Sequence, residues 1–260
     1  MRLRVGAATD TGRVRELNED AYVLRADQGL FVVCDGMGGA PAGEVASQMA
    51  VEAILQELDG EGSDAPRSAA HEPRAYLSQT SRLADAVRRS NQFIYEHGQH
   101  DPQHAGLGTT VVGAWIRQHV ASVAHVGDSR AYLWHNDRLE PLTRDHSLLE
   151  SNVLVRVVGR EPDVEVDVAE VPVQPGDYLL LCSDGLTRMV PDRTLAQAIV
   201  DLRDPQRICD YLIATANGNG GSDNITIVVV EVAESWWRRL MNAWKRYATR
   251  GHDAETYPAV

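Results

Sequence analysis

The sequence predicts an α+β sandwich, on three observations. Strand-like stretches outnumber helical ones. The long helical stretches are inserted between runs of strands and do not alternate with single strands, as a βαβ pattern would require. Most strand-like stretches alternate apolar and polar residues, and one, Tyr178-Leu179-Leu180-Leu181-Cys182, is continuously apolar, as a buried strand is. The 260 residues fit one large domain or two small ones, and the 43% apolar content is enough for a sizeable core. There is no internal repeat and no clear domain break.

In chain order, residues 2–9 and 21–26 read as short strands flanking a loop from Asp10 to Asp20. The apolar run over 30–34 is a third strand. Val45, Met49, Ile54, Leu55 and Leu58 have helical spacing, which predicts a helix over 41–58. A polar stretch from Asp59 to Pro73 is a loop, and a second long helix follows over 74–98. Thr109–Ile116, Val120–Val126, Ala131–Trp134, Val164–Val173 and 178–182 are strands. Helices over 192–201 and 205–216 precede a last strand, Ile225–Val232.

Composition excludes several functions. Lys245 is the only lysine, so a P-loop, a kinase site and a Schiff-base site each lack their essential residue. Cys34, Cys182 and Cys209 are far apart and show no paired spacing, against a disulfide framework or a thiolate zinc site. The formal charge of −12 predicts no affinity for nucleic acid. No apolar run is long enough to span a bilayer and the first residues are not signal-like, so a cytoplasmic location is expected.

Acidic residues recur at predicted strand ends, beside glycines or other small residues. They are Glu19-Asp20, Asp35 in Cys34-Asp35-Gly36, Asp128 in Gly127-Asp128-Ser129, Asp184 in Ser183-Asp184-Gly185, and Asp223 in Ser222-Asp223-Asn224. The Cys34-Asp35-Gly36-Met37-Gly38-Gly39 stretch has the strand–loop–helix setting of a phosphate cradle, yet Asp35 would repel a phosphate. Converging carboxylates repel one another unless a cation lies between them. Hard divalent ions such as Mg²⁺ or Mn²⁺ suit such oxygen ligands. Two of them, about 3.5–4 Å apart, can activate a water and clamp a phosphoryl group. Asp35 would then bind metal, and the metal would bind the phosphate. Taken singly, each aspartate also reads as an ordinary turn or cap residue.

Together these stretches resemble the metal-dependent protein phosphatases of the protein phosphatase 2C family, in their bacterial form. The blocks stand in family order: Arg15-x-x-Asn18-Glu19-Asp20, Asp35-Gly36-Met37-Gly38-Gly39, Gly108-Thr109-Thr110, Val126-Gly127-Asp128-Ser129-Arg130, Thr143-x-Asp145-His146-Ser147, Ser183-Asp184-Gly185-Leu186 and Asp223-Asn224-Ile225-Thr226. The resemblance runs from about Thr9 to Val232 and implies a four-layer α-β-β-α sandwich of two antiparallel sheets flanked by helices. It implies a catalytic domain over 1–233. Asp35 would bridge two Mn²⁺ or Mg²⁺ ions, and the Gly36 carbonyl would bind one. Asp184 and Asp223 would complete the first shell, and Glu19 and Asp20 would hold the second ion or its waters. Asp128 with Asp184 would form a weaker third site. Arg15 would grip the substrate phosphate with its planar fork. The reaction implied is in-line attack by metal-activated water on phosphoserine or phosphothreonine, in a monomer whose partners are phosphorylated proteins and a cognate Ser/Thr kinase.

The sequence departs from the family pattern in two places. Met37 stands where animal members carry a histidine, which leaves the general acid open. The flap that usually follows the Asp-His-Ser block is largely absent: Asp145 to Asn152 runs almost directly into Val153-Leu154-Val155. A more open site that accepts bulkier phosphoproteins is the expected consequence. The alternative it keeps alive is a catalytically weak phosphoprotein-binding regulator, a pseudophosphatase. A dinucleotide fold is disfavoured because Pro41 replaces the third glycine of its motif. A haloacid-dehalogenase-like phosphatase built on Asp184 is disfavoured because Leu186 stands where its second aspartate belongs.

His125 and His146 read as structural hydrogen-bonding residues, and Gly108-Thr109-Thr110 as a strand start with hydroxyls bonded locally. Residues 234–260 form a separate tail. At about 100° per residue, 236–250 place Trp236, Trp237, Leu240, Met241, Trp244 and Tyr247 on one face and arginines with Lys245 on the other. Such a basic amphipathic helix suits either docking on an anionic membrane or partner, or packing on the protein itself.

Overall fold

The structure, a computed structural model, describes residues 1–38, 42–60, 76–100, 106–147 and 154–234. The tail segment 236–250 lies outside the described residues, as do 148–153 of the shortened flap.

Two antiparallel sheets form the centre. The first has the order β1 (Arg2–Asp10), β11 (Ile225–Ala233), β10 (Tyr178–Cys182), β7 (Arg130–His135) and β8 (Arg138–Pro141). The second runs β2 (Asp20–Arg25), β3 (Leu30–Met37), β5 (Val111–Arg117), β6 (Val120–Val126) and β9 (Asp167–Pro172), and the short β4 (Gly108–Thr109) pairs with the end of β3. Helices α1 (Ala42–Asp59) and α2 (Ser78–His100) cover the second sheet. Helices α3 (Asp184–Thr187), α4 (Asp192–Leu202) and α5 (Pro205–Gly218) cover the first.

Strand periodicity divides the core into three layers. On β3, Leu30, Val32 and Cys34 face α1 and α2, while Phe31 and Val33 face the other sheet. On β10, Tyr178, Leu180 and Cys182 face α4 and α5, while Leu179 and Leu181 point inward. A strand apolar on both faces therefore means burial under helices on one side and a second sheet on the other, in an antiparallel setting. On α1, the small residues Ala42, Gly43, Ala46 and Ala50 line the buried face and let the helix lie close on β3. Helix α5 begins where Asp204 accepts a hydrogen bond from Arg207 N at 3.1 Å and Pro205 occupies the first turn.

The architecture is the expected one, and the boundaries moved in places. The strand expected over 164–173 is Asp167–Pro172, and the helix expected over 74–98 is Ser78–His100. Strand β8 and helix α3 carried no periodicity because each spans four residues. All three cysteines are buried free thiols.

Candidate active site

The register of both sheets delivers the acidic residues to one end of the sandwich. In the first sheet Asp10 faces Ile225, and Cys182 faces both Ile227 and Arg130. In the second, Asp20 faces Asp35 and Val111 faces Val126. Loops leaving these strands therefore meet, although their residues are up to 208 positions apart, as in the Arg15–Asp223 pair. An open cleft of about 490 Å³ is lined by Arg15, Glu19, Asp35, Gly36, Asp128, Asp184 and Asp223, together with Met37, Leu154, Arg160 and Arg188. Asp20 lies beneath it, opposite Asp35 on the ladder.

The two sheets are tied at this point. Ser183 Oγ, from the first sheet, donates to Asp20 Oδ2 at 2.8 Å and accepts from Thr226 N at 2.9 Å. Asp35 is fixed through its backbone: Asp35 N donates to Thr110 Oγ1 at 3.0 Å, while Thr109 Oγ1 and Thr110 N both donate to the Asp35 carbonyl at 2.9 Å. The Thr109 hydroxyl bonds locally as expected, to the Thr110 carbonyl at 2.9 Å, but both threonine hydroxyls also anchor a residue 74 and 75 positions away. Asn224 orders the Glu19 loop, accepting from Glu19 N at 2.8 Å and donating to the carbonyls of Thr11 and Leu17. Gly36 packs where no side chain fits, since a Cβ there would lie 2.0 Å from the Gly43 carbonyl oxygen and 2.6 Å from that of Glu19.

The cleft concentrates negative charge. Burial, followed by repulsion from Asp20, Asp184 and other carboxylates, raises the Asp35 carboxyl well above its ordinary range. Burial also lifts Asp20 to about 6. Burial and then Asp128 lift Asp184 to about 8, against the opposing effect of Arg188. Asp128 and Glu19 are raised as well, chiefly by burial. Two cations offset part of this charge. Arg15 Nε and an Arg15 terminal nitrogen fork onto the two oxygens of Asp223 at 2.9 and 3.0 Å. Arg188 pairs with Asp184. Sequence reading missed Arg188, although its spacing of four residues from Asp184 was visible, and it missed Arg160, Asn224 and Ser183.

A divalent cation fits these residues. Asp20 Oδ1 and Asp184 Oδ1 are buried and have no hydrogen-bond partner, a costly state for carboxylate oxygens without a cation. Among the described residues no three acidic, His or Cys side chains already surround one point as a finished cage, and Arg15 and Arg188 pair with Asp223 and Asp184.

The histidines behave differently from each other. His146 is structural as expected: Nδ1 accepts from Gly127 N at 3.2 Å and Nε2 pairs with Asp167 at 3.2 Å. His125 is not; neither ring nitrogen is bonded, and the ring lies against His146 at 4.5 Å between centroids. Burial lowers its pKa to about 4, so it stays neutral. On either side of residues 148–153, Ser147 bridges to Leu154 and Val155 N donates to the His146 carbonyl at 2.8 Å.

A cleft lined by carboxylates at the end of a double-sheet sandwich suits divalent cations and the phosphoryl groups they bind. The protein phosphatase 2C family model matches residues 11–223, and the chain belongs to that family. It is 37% identical over 244 residues to the serine/threonine phosphatase stp of Listeria innocua, covering 86% of this chain and 93% of that protein. It is 32% identical over 256 residues to the protein phosphatase PhpP of Streptococcus pneumoniae, covering 89% and 98%. The solved catalytic domain of the serine/threonine protein phosphatase PstP in complex with two manganese ions superposes with a TM-score of 0.76 at 32% identity, covering 89% of this chain and 99% of that one. The chain is an enzyme, a protein phosphatase. No helix among the described residues is long and apolar enough to cross a membrane.

Proposed function

We propose that this chain hydrolyses phosphoserine and phosphothreonine in proteins with two divalent ions, Mn²⁺ or Mg²⁺, and that it opposes a Ser/Thr kinase. The observation that carries this is the pair of buried, partnerless oxygens, Asp20 Oδ1 and Asp184 Oδ1, beside a recessed Asp35. Asp35, the Gly36 carbonyl, Asp184, Asp223, Glu19 and Asp20 are the groups that would hold the ions. When bound, the ions supply charge neutralisation and an acidified water.

The chain's own residues do the rest. Thr109 and Thr110 keep Asp35 aimed, Ser183 orients Asp20, and Asn224 sets the Glu19 loop. Arg15 is 52% exposed and already presents a bidentate fork at the cleft, on Asp223. A phosphoryl group matches that fork as well as a carboxylate does. With Leu154 on its wall, the open cleft suits a residue displayed on a folded phosphoprotein.

The test is phosphate release from a phosphothreonine peptide with Mn²⁺, with excess chelator, and with an Asp35→Asn variant. Release that needs both Mn²⁺ and Asp35 is the expected result. A folded protein that binds Mn²⁺ and phosphoprotein without turnover would instead be the binding regulator.

A further inference from the structure

Arg188 follows the short helix α3 and stands four residues after Asp184. One terminal nitrogen pairs with Asp184 Oδ2 and lies 3.7 Å from Asp128 Oδ2. The other lies 3.6 Å from Asp223 Oδ2. The two oxygens of Asp184 are thereby divided: Oδ2 faces Arg188, and Oδ1 is buried without a partner. Asp128 and Asp184 are the pair to which the family resemblance assigns a third ion, and in this chain one guanidinium nitrogen approaches both.

We propose that Arg188 is a built-in third cation, holding Asp128 and Asp184 in place of a metal, so that the chain loads two ions and no third one between these residues. This rests on reading the cleft as a two-metal centre. An ion shared by Asp128 and Asp184 needs both carboxylates within about 2.0–2.6 Å. An Arg188 nitrogen already pairs with Asp184 and lies 3.7 Å from Asp128, so it competes with such an ion for these carboxylates. A guanidinium cannot shed its charge in a protein, so it does not yield by deprotonation and it repels a divalent ion a few ångströms away. It is also tethered, so it needs no metal in solution. The division of Asp184 leaves Oδ1 for an ion of the two-metal core, which makes Arg188 compatible with that core while it blocks the third position.

The experiment counts Mn²⁺ bound to the full chain by equilibrium dialysis and elemental analysis, up to millimolar Mn²⁺. Expected are two ions on the wild type, two on Asp128→Asn, three on Arg188→Ala, and two again on the double variant. Three ions on the wild type, falling to two in Asp128→Asn, would show that Arg188 swings aside and would overturn the proposal while leaving the phosphatase reading intact. So would a count of two on folded Arg188→Ala. If Arg188→Ala does not fold, the wild type against Asp128→Asn decides. A wild-type count below two that Asp35→Asn leaves unchanged would remove the two-metal reading, and this proposal with it.

Discussion

Thr110 and Asp35 hold each other twice: Asp35 N donates to the Thr110 hydroxyl at 3.0 Å, and Thr110 N donates back to the Asp35 carbonyl at 2.9 Å. The same hydroxyl is 2.6 Å from Ser129 Oγ, next to Asp128. One buried threonine thus couples the central carboxylate to the loop that carries another. Thr110→Val keeps the shape and the backbone bond but removes the hydroxyl. Outer-shell losses of this kind cost about 10–100-fold in metal affinity or activity. A Mn²⁺ titration of Thr110→Val should show a weaker midpoint with an unchanged circular dichroism spectrum. An unaltered midpoint would mean that the backbone bond alone positions Asp35.

Gly36 makes a steric prediction. A methyl group there meets the Gly43 and Glu19 carbonyls at 2.0 and 2.6 Å, both backbone and unable to swing away. Gly36→Ala should therefore destabilise the fold by about 1–3 kcal/mol, the usual range for overpacking, or more. It should also loosen Mn²⁺ binding, because the Glu19 loop and the start of α1 must separate. Chemical denaturation and a metal titration on the same variant check both effects.

The raised carboxylates predict an unusual dependence of stability on pH. Asp184, lifted by burial to about 8, binds a proton more tightly folded than unfolded, so its contribution favours the fold at low pH and is lost as pH rises toward 8. Asp20, at about 6, acts in the same direction over a lower window. His125 acts oppositely: its pKa of about 4 lies below the unfolded value, so its contribution falls as pH drops from 6.5 toward 4. Over pH 6.5–8 Asp184 contributes in this direction together with Asp35, which burial and neighbouring carboxylates raise well above its ordinary range. Chelator-treated protein should lose stability across that window, Mn²⁺ should restore it, and Asp184→Asn should reduce the slope. A slope unchanged by Asp184→Asn would place its origin elsewhere.

Arg15 gives a kinetic prediction. Its fork on Asp223 uses two nitrogens at 2.9 and 3.0 Å, a geometry that lysine cannot reproduce. Arg15→Lys keeps the charge and loses the fork. On a phosphothreonine peptide, KM should rise about tenfold, with the number of bound ions unchanged. A fall in the ion count would mean that Arg15 chiefly positions Asp223.

Much of this protein was legible in the linear sequence. Period-two alternation and the apolar run at 178–182 identified the strands, because residues facing two cores must be apolar on both sides. The acidic residues beside glycines at strand ends, with the single lysine excluding other phosphate chemistries, marked the cleft and its dependence on cations. These are local signals, written in residue type and spacing. Only the tertiary structure decided which groups meet. The anchoring of Asp35 by Thr109 and Thr110, the Ser183–Asp20 bond that ties the sheets, and the clamp of Asn224 on the Glu19 loop all span long stretches of chain. The register of antiparallel pairs brings them together, and no spacing encodes that register. The unbonded ring of His125 and the pairing of the Arg188 guanidinium with Asp184 near Asp128 belong to the same class. A side chain's partner is fixed by where the strands end in space, and that follows from the packing of three core layers at once.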